Sequence, residues 1–373
     1  MLQIIDKPNV KICISSKYNY IFRKSDGFFI EYGSTREEDP LYAPFPNIAD
    51  IEISKVIDDT AIEKYRHDDR WIITKGKCGG IGCGQWCYKQ NGQYNNTLHI
   101  SLKGFKELAH KLPDGLCQIA FGVTTIHHHP EVWKIFKECR DKGLAANVTV
   151  NGGNVTSCDI QNLAENCNAV AVSVNKTNKQ AAYNTLQELI SLSKRPDKLL
   201  SQVNIHYVLS YETFEECKKV IRECTTDIRL TGLNALVLLM FKNKSTNTLT
   251  TITDPVKYKE LIDYAQKLGV PLGFDSCSAY NYLKAIREDK DYNQKAQFVT
   301  PCCAGRFSAY FDVFGNYNVC SFLEDREEWG DGISMWNVKD FIKEVWNNSR
   351  VVKFRKYNIG RSKKLCNPCK YFD

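Results

Sequence analysis

From residue 71 onward, short apolar runs alternate with longer stretches whose apolar residues recur at helical spacing. The runs at 71–74, 117–122, 147–151, 169–174, 201–209, 234–241 and 270–274 have strand length. Between and after them lie helical patterns at 101–112, 130–142, 156–167, 179–193, 213–224, 255–268 and 278–287. Boundary residues agree with this division. Pro130 stands in a first helical turn, Thr156 or Ser157 offers an N-cap, and Asp254 and Gly269 bracket the sixth helix. Strands alternating with helices of this length specify parallel βαβ units. Six β–α repeats, a seventh strand and a further helix predict an α/β fold, a complete or partial (β/α)6 TIM-type barrel in preference to an open sheet. In such barrels the working residues sit at the C-terminal ends of the strands.

The flanks follow another pattern. Residues 1–70 hold short β-rich runs at 10–14, 18–22 and 27–32, then a loop broken by Pro40, Pro44 and Pro46. The turn Ser25-Asp26-Gly27 predicts a hairpin. This stretch reads as a β-rich N-terminal cap (1–70) that wraps the barrel (71–288). After residue 289 the periodicity changes again. A hairpin is expected, with 308–313 paired to 317–322 around Gly315-Asn316, then a helix near 338–346, within a small cysteine-rich domain (289–373).

Composition narrows the class. Hydrophobic residues make up 43% of the 373, enough for a sizeable core, and no run approaches the roughly 18 apolar residues of a spanning helix. No secretory signal opens the chain. The net charge of +7 suits a soluble protein and says little about function. Sixteen cysteines without a signal argue against a disulfide framework and for a cytoplasmic protein. Those set singly in helices, Cys139, Cys158, Cys167, Cys217 and Cys224, read as packing residues.

The others cluster. KCGGIGCGQWCYKQ carries Cys78, Cys83 and Cys87 with spacing CX4CX3C on a glycine-rich loop after the 71–74 run. Three thiols there can converge on one iron–sulfur cluster and leave an iron open to a small molecule. A zinc knuckle is the competing reading, although zinc asks for a fourth ligand and favours CX2C. At the far end, Cys302 and Cys303 precede the expected hairpin, Cys320 sits on its second strand, and Cys366 and Cys369 form a CX2C.

Together these residues resemble the radical S-adenosylmethionine (SAM) superfamily. Its usual motif is CX3CX2C after the first barrel strand, with an aromatic before the last Cys, here Trp86; each gap in this chain is one residue longer. The C-terminal set, Cys302-X12-Gly315-X4-Cys320 and then Cys366-X2-Cys369, resembles a SPASM or twitch extension, and the CXAGR opening favours Cys302 over Cys303. The resemblance implies a SAM-binding [4Fe–4S] cluster on Cys78, Cys83 and Cys87. It also implies an auxiliary [4Fe–4S] cluster on Cys302, Cys320, Cys366 and Cys369. Such enzymes cleave SAM reductively to a 5′-deoxyadenosyl radical that abstracts hydrogen from a substrate. The cofactor carries the hard chemistry and the protein orients it.

By position in that family, candidate SAM contacts are Gly122 and Thr124 after the second strand, Asn151 at the end of the third, and Ser173 and Asn175 at the end of the fourth. On the fifth strand Gln202, Asn204 and His206 share one face, and Asn204 and His206 are SAM or substrate candidates. A satisfied polar layer is the equal alternative. The His127-His128-His129 run reads as a solvated loop rather than a metal site. Cys277, after the seventh strand, is the candidate catalytic thiol; cluster ligation and inert packing are its other readings. The implied substrate is a peptide or protein, with modification of a nucleotide, nucleic acid or small metabolite as the alternative. A non-catalytic zinc- or cluster-binding protein is the alternative of another class. The implied partner is an electron donor such as flavodoxin or ferredoxin, with no membrane and no supported nucleic acid.

Overall fold

The computed structural model describes residues 2–76, 78, 87, 89, 94–243, 249–364 and 369. The chain opens with an antiparallel meander: β1 (Gln3–Asp6), β2 (Val10–Ile14), β3 (Asn19–Arg23) and β4 (Phe29–Tyr32). Period-2 alternation sets its buried face, where Cys13, Tyr20 and Phe22 pack with Phe45, Cys117 and Ala145. Lys11 is only 2% exposed. Its ammonium donates to the carbonyls of Leu116 at 2.7 Å and Asp114 at 3.1 Å. Gln202 Nε2 donates to the Asp26 carbonyl in the β3–β4 turn, and Asn168 Nδ2 to that of Lys24. These partners precede or begin parallel strands, so the meander closes the N-terminal end of the main sheet.

That sheet starts earlier than the sequence pattern predicts. β5 (Ile48–Glu52) is its first strand, parallel to β9 (Gln118–Gly122). Between them lie β6 (Ser54–Ile57), α1 (Asp59–Ile62), β7 (Trp71–Lys75), β8 (Asn96–Ile100) and α2 (Leu102–His110). β6, β8 and β7 form a separate antiparallel sheet. The 71–74 run is therefore a hairpin arm and not the first barrel strand, and part of the expected cap belongs to the main sheet. The reason is local. IADIE is five residues long, follows three prolines and carries two carboxylates, so its apolar positions, Ile48 and the buried Ala49 and Ile51, were too few to show.

From β9 the expected alternation holds: α3 (Val132–Asp141), β10 (Ala145–Asn151), α4 (Ser157–Asn166), β11 (Ala169–Ser173), α5 (Lys179–Ser193), β12 (Gln202–Leu209), α6 (Phe214–Thr226), β13 (Ala235–Met240), α7 (Pro255–Leu268), β14 (Leu272–Phe274) and α8 (Ala279–Ala285). Caps stop and start the helices as anticipated. Thr156 and Asp159 form a capping box, Asp254 caps α7, and Gly269 ends it with φ +71°. One face of the strands packs under the helices through Val148, Val170, Val203 and Leu236. The other, inner face carries the polar positions.

After α9 (Tyr292–Ala296) the chain returns to the sheet. β15 (Ser308–Phe311) pairs parallel to β5, then β16 (Asn316–Asn318) and β17 (Ile333–Ser334) follow antiparallel. The ten-stranded order is β14-β13-β12-β11-β10-β9-β5-β15-β16-β17, so it ends in two edges and does not close. The 338–346 helix appears as a π-helical turn, Ile342–Trp346. α10 (Ser349–Lys364) was not expected, because its sequence is rich in Lys and Arg. Its inward residues include buried Arg355 and Asn358, which donate to the carbonyls of Gly305 and Cys302.

Gly315 turns the β15–β16 hairpin with φ +78°, and an added Cβ would sit 2.1 Å from the Trp336 ring. Strain and overlap act together there, so Gly315→Ala is expected to cost about 3 kcal/mol in urea unfolding. An unchanged midpoint would mean the hairpin is not held against Trp336.

Candidate functional site

The C-terminal ends of the parallel strands gather the polar residues of the inner face. Asn151, Ser173 and His206 lie side by side, in register across β10, β11 and β12. Asn178 ties two of them, its Nδ2 donating to Asn151 Oδ1 at 3.1 Å and to the Ser173 carbonyl at 2.9 Å. Asn175 accepts from the backbone N–H groups of Thr177 and Asn178. Asn204 sits in register between Ala171 and Ala235, whose small side chains leave room around its amide. His206 Nδ1 lies 3.2 Å from Thr149 Oγ1. Burial lowers its pKa to about 4, with Asp275 opposing, so the imidazole is neutral at pH 7.

Cys78 and Cys87 lie between β7 and β8 in the sequence. Cys78 Sγ is 3.5 Å from the Thr124 carbonyl, and Thr124 N–H reaches Ser54 Oγ at 3.3 Å. Gly122 ends β9 opposite Glu52. Cys87 is half-buried, while Cys83 and Trp86 lie outside the described residues. Two residues past Cys87, Lys89 enters a buried charge network. Its ammonium pairs with Glu324, with Glu52 at 3.1 Å and with the Tyr310 hydroxyl at 2.5 Å. Lys55 pairs with Glu324 at 2.6 Å, and Tyr310 donates to Glu324 at 2.7 Å. Burial works to raise the Glu324 carboxyl, but Lys89 and Lys55 overcome it and hold the pKa down to about 2.

A second group of thiols sits beyond β13 and β14. Cys277, Cys302, Cys320 and Cys369 line one cavity of about 30 Å³, whose remaining wall includes Met240, Leu323, Phe354 and the cationic Arg361. Cys303 turns away and packs against the core of the N-terminal meander. Cys366 lies outside the described residues. Lys242 Nζ donates to Cys277 Sγ at 3.1 Å and sits 3.3 Å from Asp275 Oδ2. Burial pulls this ammonium down, yet the Cys277 and Asp275 neighbours prevail and keep it charged. Among the described residues no three His, Cys, Asp or Glu side chains close on a point for a single metal ion.

The three adjacent histidines diverge. His127 faces Asp159 at 3.2 Å, while His129 is buried against His99 with ring centres 4.8 Å apart.

No protein-family model matches the sequence, and no curated protein matches it. Solved structures do. SuiB of Streptococcus suis bound to its precursor peptide SuiA superposes with TM-score 0.66 at 9% identity, over 95% of this chain and 90% of that one. SuiB alone gives 0.63 at 10% identity, over 94% and 90%. SuiB bound to S-adenosylmethionine gives 0.59 at 12%, over 84% and 68%. The chain shares its fold with SuiB. Among the described residues no helix is long and apolar enough to cross a membrane.

One inner-face residue of this fold escaped the sequence pattern. Asp50, on β5, is flanked in register by Ala120 and Tyr310. Solvent reaches it although protein surrounds it, as befits a recess in the sheet, and burial alone raises its pKa to about 6. It was hidden because β5 itself was read as cap. A carboxyl raised in the folded state holds its proton longer there than in the unfolded chain. Stability therefore falls as pH rises from the ordinary value of 3.8 to about 6, then stays level. Asp50→Asn is expected to be more stable than the parent above pH 6 by about 1 kcal/mol, a figure discounted for solvent access. The gap should close towards pH 4 in urea titrations; a gap independent of pH would mean Asp50 is not perturbed.

Proposed function

We propose that the protein is a radical SAM enzyme acting on a peptide or protein. The observation that carries this is Cys78 against Thr124, just past β9, and Lys89 against Glu52, at the end of β5, in a fold shared with SuiB along nearly its whole length. SuiB has been captured with S-adenosylmethionine and with a precursor peptide, which supports the same two ligand classes here.

In this reading Cys78, Cys83 and Cys87 would hold a [4Fe–4S] cluster. When bound, it supplies the electron, received from a carrier such as flavodoxin or ferredoxin, that cleaves SAM to a hydrogen-abstracting 5′-deoxyadenosyl radical. The chain's own residues bind and orient. Gly122 and Thr124 border the cysteine loop, and the Asn178-tied pair Asn151 and Ser173 presents amide and hydroxyl groups beside Asn175. Neutral His206 and the uncrowded Asn204 offer uncharged hydrogen-bonding groups to SAM or substrate. The region 289–373 carries an auxiliary cluster site built on Cys302, Cys320 and the Cys366/Cys369 pair. Sixteen cysteines, several of them spaced for metal binding, suit a reducing, cytoplasmic setting.

Anaerobic reconstitution with iron and sulfide tests the proposal. With dithionite and SAM, the full chain is expected to yield 5′-deoxyadenosine by mass spectrometry. Tight zinc binding with no SAM cleavage would overturn it in favour of a structural metalloprotein.

A further inference from the structure

The auxiliary site has more thiols than a four-iron cluster needs, and one of them belongs to the parallel sheet. Cys277 follows β14, yet it lines the same cavity as Cys302, Cys320 and Cys369. The placement is not loose. Cys302 N–H donates to the carbonyl of Ser276, the residue before Cys277, at 3.2 Å. Asn358 of α10 holds the Cys302 carbonyl from the other side at 3.0 Å. Lys242, at the end of β13, closes the group. Its ammonium reaches Cys277 Sγ at 3.1 Å and lies 4.2 Å over the ring of Phe322, two residues after Cys320. A buried ammonium donating to sulfur holds that side chain in place, as hydrogen-bonding neighbours orient the ligands of a metal centre.

We propose that Cys277 is the fourth ligand of the auxiliary iron–sulfur cluster, with Cys302, Cys320 and Cys369, and that Lys242 is the positioning residue that hydrogen-bonds its sulfur. This rests on the auxiliary cluster proposed above and gives Cys277 the place held there by Cys366. On ligation the Cys277 thiol loses its proton to solvent, its sulfur bonds iron, and the Lys242 ammonium balances the thiolate charge. A cation donating to a ligand sulfur stabilises the more negative, reduced state of a cluster and raises its potential.

The test uses the full chain with Cys78, Cys83 and Cys87 all replaced by Ala, so that any remaining iron reports the auxiliary site alone. About four irons per chain are expected, with a reduced-state electron paramagnetic resonance signal. Failure to bind iron at all would sink the auxiliary cluster itself. In that background, Cys277→Ala is expected to lose most of the iron, while Cys303→Ala and Cys366→Ala keep it. Cys277→Ser, near-isosteric, guards against misfolding and should keep the circular dichroism spectrum while altering the signal. Lys242→Met should keep the iron and shift the cluster potential to more negative values. Unchanged iron and an unchanged signal in both Cys277 variants, with loss in Cys366→Ala, would overturn the assignment while leaving the auxiliary cluster standing.

Discussion

Lys89→Met is expected to destabilise the fold by about 3–5 kcal/mol, the usual result of removing one partner from a buried ion pair. Lys89 and Lys55 face Glu52 and Glu324, two cations against two carboxylates, with Tyr310 donating between them. Without Lys89 a buried negative charge is left over. The same change frees the segment two residues after Cys87, so SAM cleavage should fall more steeply than the folded fraction. The double variant Lys89→Met with Glu324→Gln restores neutrality and should recover more than half of the lost stability, but not the cleavage rate. Urea unfolding and 5′-deoxyadenosine yield, measured together, decide the matter. Strictly additive destabilisation in the double variant would show that the four groups do not act as a unit.

Cys78→Ala and Cys87→Ala should each bring SAM cleavage down to the level seen without reductant, with little change in unfolding midpoint. Both thiols are half-buried, and neither belongs to a described apolar core. Cys158→Ala, on the exposed side of α4, should leave cleavage intact. Equal activity in the Cys78 and Cys158 variants would remove the chemical basis of the proposed function.

What the sequence disclosed and what it hid have physical causes. The βα succession was legible because each helix carries an apolar stripe and each strand an apolar outer face, two periods that do not overlap. β5 was not, since two of its five residues are the inner-face carboxylates Asp50 and Glu52. With it went the charge network and the raised Asp50. α10 was hidden for a related reason: Arg355 and Asn358 are buried to hold the 302–305 turn through backbone carbonyls, a role that leaves no apolar period. The cysteine groups were visible as spacing. That Cys277 shares a cavity with the C-terminal thiols depends on a backbone bridge from residue 276 to residue 302, separated by 26 positions, and no local pattern encodes such a contact.

The pairing of β15 with β5 has a further consequence. A C-terminal strand is stitched, register for register, to the first strand of the parallel sheet, from Ser308 against Ile48 to Phe311 against Ile51. The extension is thus not a detachable module. A chain cut before residue 308 would leave β5 with a bare row of amides and carbonyls, an open template for intermolecular pairing. β5 and β15 must meet before either is protected, so residues 308–311 have to be made before the sheet is complete. Native-state hydrogen exchange should accordingly find 48–52 and 308–311 opening as one cooperative unit despite their distance along the chain.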